Sequence, residues 1–138
     1  MERQRRVLLR DDPPEVWFII DQLSLYRLVG SPEVMTAQMR HLTAIAAMPN
    51  VTLQVLPAVA HPANASELIA MDGAVYAEHV VGGYVFTDDQ TVSYVNRLFS
   101  TILSECYRAS ESLAMIVEVG EIWTGESPHT QKATEDPA

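Results

Sequence analysis

Val16-Trp17-Phe18-Ile19-Ile20, Ser31-Pro32-Glu33 and Val51-Thr52-Leu53-Gln54-Val55-Leu56 decide the fold of this chain. The first stretch is a short unbroken apolar run of β-branched and aromatic residues. The third is similar, with partial alternation. Both read as strands. Ser31 before Pro32 is a helix start, with serine at the N-cap and proline at the first helical position. Met35, Met39, Leu42, Ile45 and Ala46 follow at helical spacing, and Pro49-Asn50 closes the segment. Strand, helix, strand predicts a right-handed βαβ unit with parallel strands. An unrelieved apolar strand such as 16–20 predicts cover on both faces.

Working outward, residues 2–9 can form a helical turn or two with Val7, Leu8 and Leu9 as its contacts, broken by Asp11-Asp12-Pro13-Pro14. Leu23, Tyr26 and Leu28 predict a short helix ending at Gly30. After the second strand, Pro57 to Ala65 is a loop. Strands over 68–71, 74–80 and 84–86, joined at Asp72-Gly73 and Gly82-Gly83, predict an antiparallel meander. Added to the parallel pair it would give a mixed five-stranded sheet in an α/β fold. Thr87 with Gln90 has the capping-box pattern and opens a helix carrying Val92, Val95, Leu98, Phe99, Ile102, Leu103 and Cys106 on one face. A last helix opens at Ser110, with Leu113, Ile116 and Val117 inward and Trp123 as an end anchor. Residues 1–124 are expected to be one domain and 125–138 a disordered tail.

The chain has 138 residues, enough for one real core, and 48% hydrophobic residues, ordinary for a soluble domain. No apolar run reaches the roughly 20 residues that span a bilayer, and the charged N-terminus does not suit a signal peptide, so the expectation is a cytoplasmic protein. The net charge is −9; residues 1–60 hold six basic and six acidic side chains, and residues 61–138 hold three and twelve. Such a surface repels phosphate backbones, which predicts no nucleic-acid binding by this chain. The lone Cys106 reads as a buried, inert thiol.

No Gly-rich phosphate loop, paired cysteine, metal-ligand spacing or nucleophile elbow is present in the sequence, and no cofactor or metal is expected. Polar residues beyond the C-terminal ends of parallel strands sit where α/β proteins place ligands. Those ends are Asp21-Gln22 and the loop from Pro57 that carries His61. Asp21 reads equally well as the N-cap of the next helix. If the meander lies beside the parallel pair, Asp21, Arg27, His61, Tyr76 and Glu78 would converge on one ligand-binding cleft. Asp21, His61 and Glu78 would be its acid/base candidates, and Tyr76 a wall with a polar tip.

Taken in order, Glu2-Arg3-Gln4 with Leu8, Asp11-Asp12-Pro13-Pro14, Ile20-Asp21, Leu25-Tyr26-Arg27-Leu28-Val29-Gly30, Pro49-Asn50-Val51 to Pro57, Val75-Tyr76-Ala77-Glu78 and Ala109-Ser110-Glu111-Ser112 resemble the Scr1-type antitoxin-like domain, DUF5753. The resemblance covers residues 2 to about 119. It implies kinship with actinobacterial transcription regulators, in which a helix-turn-helix precedes this domain and a small partner protein is bound. The implied role is sensing, dimerisation or partner binding. The sequence departs from the pattern in three ways. Met1 falls where the linker helix would be, so the helix-turn-helix is expected to be missing, through a cut or in a natural stand-alone member. Gln22 stands where glutamate is usual. Residues 65–74 are shorter than usual and lack a common phenylalanine. The expected function is a regulatory module for a small protein partner or small-molecule ligand, with a homodimer as its assembly. The alternative is a small biosynthetic catalyst, cyclase- or isomerase-like, reusing the fold around an acid/base pocket.

Overall fold

The computed structural model describes residues 11–58, 67–71, 74–79 and 82–125, with 67–69, 71 and 77–79 as backbone only. The predicted strand–helix–strand unit is present. Strand β1 (Val16–Asp21) pairs in parallel with β2 (Val51–Leu56), Val16 opposite Val51 and Asp21 opposite Leu56. A short helix α1 (Gln22–Tyr26) and the crossover helix α2 (Pro32–Ala46) lie between them. Ser31 caps α2 as its sequence predicts, accepting from the Val34 N–H at 3.2 Å. The helix stops after Ala46, before Pro49-Asn50: Ala47 N–H still bonds to the Thr43 carbonyl four residues back, but Met48 N–H turns to the Ile45 carbonyl three back.

The meander is also present: β3 (Glu67–Met71), β4 (Ala74–His79) and β5 (Gly82–Phe86) pair antiparallel in that order. It forms its own sheet, and the expected five-stranded sheet is not found among the described residues. The cause is visible at β2. Val55 turns its backbone away from β1, and both of its groups are taken: its N–H donates to Ser112 Oγ and its C=O accepts from Tyr107 N–H, each at 2.9 Å. Gln54 Nε2 donates to the Tyr107 carbonyl at 3.0 Å. A strand cannot pair where these groups already do. The meander packs instead on helix α3 (Asp89–Glu105), with Val75 buried on its inner side and Val95 and Ile102 buried on the helix.

Helix α3 starts one residue later than the Thr87 pattern predicts. Asp88 is its N-cap, accepting from Thr91 N–H at 2.9 Å. The last helix, α4 (Ala109–Thr124), begins beside Ser110, and the Glu111 carboxylate accepts from the Arg108 N–H. Gly125, with φ of 76°, ends α4 in the left-handed region. Leu25, Met35, Met39, Leu53, Val55, Ile116 and Val119 form the main core, where α2 and α4 cover one face of the parallel pair. Val119, and not Val117, points inward; Val117 is exposed. Helices α2 and α4 approach closely at Gly120, where an added Cβ would lie 3.3 Å from Met39 Cβ. Trp123 anchors the end of α4 as expected, its Nε1–H donating to the Leu25 carbonyl at 3.0 Å.

Candidate functional site

The parallel pair brings Asp21 and Leu56 side by side, so the chain leaves both strands at one edge. This is the edge where the sequence places a ligand. The Asp21 carboxylate is engaged there as a helix cap, accepting from Leu23 N–H at 2.8 Å, while its carbonyl accepts from Ser24 Oγ. Gln22 Oε1 accepts from the Ala58 N–H at 2.9 Å and ties the two exits together. Arg27 is the exposed residue that ends α1. His61 lies outside the described residues.

Tyr76 belongs to the meander. It pairs with Ile69 and Val85, and its ring lies diagonally across Gly83, whose added Cβ would meet the Tyr76 hydroxyl and come 2.8 Å from Cε2 and Cζ. Position 78 pairs with Glu67 and Gly83. Asp21 and Arg27 thus sit around α1, and Tyr76 and Glu78 on β4, whose sheet is carried by α3.

The concavities among the described residues are shallow. One of about 210 Å³ lies between the start of β2 and α4, lined by Ala46, Leu53, Ser110 and Leu113. Another of about 310 Å³ lies between α2 and the end of α4, lined by Glu33, Thr36, Arg40 and Trp123. Among the described residues, the two clearly shifted ionisable groups are elsewhere. Hydrogen bonds from the Thr91 side chain and backbone hold the exposed Asp88 carboxyl below its usual range. Burial, with Glu105 adding to it, pushes the Cys106 thiol up. Cys106 is half-buried and closes α3, a position that favours an inert thiol. Among the described residues, no group of three or more His, Cys, Asp or Glu is placed to hold a metal ion. No helix among them is long and apolar enough to cross a membrane.

The surface around β1 and α1 is the more distinctive feature. Trp17 is 48% exposed and Phe18 38%, so the expectation that strand 16–20 is covered on both faces fails. Among the described residues the parallel sheet has two strands, and no strand lies on the far side of β1. Leu23 and Tyr26 on α1, Leu28 and Val29 after it, and Val34 on the first turn of α2 are exposed as well. Gly30, with φ of 74°, turns this segment so that Val34 stands about 3.5 Å from where a Cβ on Gly30 would be. Isolated exposed apolar residues are ordinary, but this many within 17–34 is more than scatter. The sequence pattern predicts a covered strand for Trp17 and Phe18 and helical spacing for Leu23, Tyr26 and Leu28. The signal it passed over is Leu28-Val29, two apolar residues in a turn, where folding alone needs none.

A family model, described as a domain of unknown function (DUF5753), matches residues 1–118. The chain belongs to the DUF5753 family. The match takes in every strand, α1 to α3 and most of α4, so the apolar surface and the Tyr107–Ser112 tie both lie inside the DUF5753 domain. No curated protein and no solved structure matches this DUF5753 chain.

Proposed function

We propose that this DUF5753 chain is a regulatory binding module that takes a small protein partner and does not itself bind DNA. The observation that carries the reading is the exposed apolar surface formed by Leu23, Tyr26, Leu28, Val29 and Val34. Keeping such side chains in water gives up the transfer free energy of burying them, about 1.5–3 kcal/mol for a whole leucine or valine side chain. A partner that covers them recovers part of it. The net charge of −9 supports the second half of the reading, since phosphate backbones are repelled. The two concavities described are shallow, and at the α1 edge Asp21 is already engaged as a cap, which favours a protein partner over a small molecule.

The test is whether a small gene lies beside the chain's own and whether its product co-purifies with the chain. The paired substitution Leu28→Ser and Val29→Ser leaves the core untouched and is expected to abolish the complex. In electrophoretic mobility shift the chain alone should leave DNA unshifted. A sub-micromolar, salt-sensitive DNA complex, or a partner that ignores the two serines, would overturn the reading.

A further inference from the structure

Which backbone groups of β1 point outward follows from one hydrogen bond. Val16 N–H donates to the Asn50 carbonyl at 2.9 Å, so Val16 faces β2. Along a strand, N–H and C=O of one residue point to the same side and alternate with the next residue's. Phe18 and Ile20 therefore face β2, while Trp17, Ile19 and Asp21 face away from it. The Asp21 carbonyl is held by Ser24 Oγ. Trp17 and Ile19, with the Asp21 N–H, remain as three donors and two acceptors with no strand beside them among the described residues. The opposite edge of the sheet is closed at Val55 by Tyr107 and Ser112. Among the described residues, the outer side of β1 is the edge left open.

We propose that the outer edge of β1 accepts, as an added strand, an extended segment of a protein partner that alternates apolar side chains and carries arginine or lysine at both ends. The proposal rests on the partner-binding reading above and names the chemistry of the partner. Its apolar middle is set by Trp17 and Phe18, which are exposed on opposite faces of β1 and would each cover alternate side chains of the newcomer. Its basic ends are set by charge. Asp11, Asp12 and Glu15 are exposed just before β1, and Asp21 stands at its other end. The same charges disfavour a second copy of this chain. Antiparallel pairing of Trp17 with Ile19 of a second copy would set Glu15 opposite Asp21 at both ends of the seam, and like charges directly opposite are destabilising.

The experiment titrates the full chain with a synthetic peptide of alternating valine and threonine flanked by arginines, and with the same peptide flanked by glutamates. Trp17 emission and the amide exchange of Trp17 and Ile19 report the edge. The arginine peptide is expected to protect both amides and to bind at least about tenfold more tightly than the glutamate peptide. That ratio should shrink as added salt screens the flanking charges. Ile19→Pro removes an outward donor without touching the β1–β2 ladder, a substitution that edge strands accept. It is expected to weaken binding about tenfold or more, while Ile19→Ala stays within about threefold, with folding of both checked by thermal melts. If Ile19→Pro fails to fold, the amide protection and the arginine-to-glutamate ratio decide. Equal binding of the two peptides, or unprotected Trp17 and Ile19 amides in the complex, overturns the proposal. So does a chain that dimerises with those amides already protected. So does a chain lacking residues 1–10 that binds the peptide tenfold better than the parent, which would give the edge to its own N-terminal segment. A chain that loses its partner on Leu28→Ser and Val29→Ser yet ignores the arginine peptide refutes the edge and leaves the regulatory reading standing.

Discussion

Ser112→Ala is the substitution that most directly probes how this fold closes. Ser112 and Val55 are both fully buried. The Ser112 hydroxyl accepts from Val55 N–H at 2.9 Å and donates to the Tyr107 carbonyl at 3.3 Å. Alanine removes both bonds at nearly constant volume. The Tyr107 carbonyl keeps its bond from Gln54 Nε2, so it stays satisfied. Val55 N–H has no replacement, and water does not reach it. A buried donor left without a partner costs about 1–3 kcal/mol. The expected loss is therefore about 2 kcal/mol, a fall in Tm of roughly 6–12 °C for a chain of this size. The control is Ser110→Ala, exposed two residues earlier, which should stay within about 0.5 kcal/mol of the parent. Thermal and urea unfolding measure the loss, and hydrogen exchange at Val55 locates it. If Ser112→Ala costs less than about 0.5 kcal/mol and the Val55 amide exchanges as slowly as before, the hydroxyl is not what closes the edge of β2.

Other outcomes follow from the same geometry. Trp123→Phe removes the donor to the Leu25 carbonyl and part of the packing on the core, and should lower stability by about 1–2 kcal/mol in urea unfolding. Gly83→Val puts a Cβ into the Tyr76 ring, so the meander must shift; Val75 amide exchange should quicken while Val55 exchange holds. Asp88 has a folded pKa below its ordinary 3.8, so its contribution is complete above about pH 4 and is lost as pH falls through the lowered value. Asp88→Asn keeps the cap and should flatten that part of the acid-side loss in urea midpoints compared across pH 2–5.

The βαβ unit and the meander were legible because each is specified locally: Ser31-Pro32 starts a helix, and short apolar runs between turn residues make strands. What lies between them was not. The separation of the two sheets depends on Tyr107 and Ser112 reaching Val55 from more than fifty residues away, and neither side chain announces that partner. Trp17 and Phe18 were misread because an apolar run has the same composition whether a second layer covers it or leaves it open. Asp21 was read in two ways, and its cap on α1 is the one that the hydrogen bonds display. For the site, the sequence named the edge correctly as the place where both strands end, but it had no means of placing β4 relative to that edge.

The tie between β2 and the Tyr107–Ser112 segment also fixes the order in which the protein can finish folding. The strands and crossover helix are made early in synthesis, yet α4, the second helix that covers them, is the last among the described residues. Everything from residue 57 to residue 106 is, for that core, a closed loop whose ends must meet. Closing such a loop has an entropic cost that grows only with the logarithm of its length, so doubling it adds only about 0.6 kcal/mol. Chain can therefore be lost or gained between β2 and α3 with little effect on the core beneath. The core remains incomplete until Ser112 has emerged from the ribosome, and a chain halted before that point exposes Val55 and the apolar face that α4 would have covered.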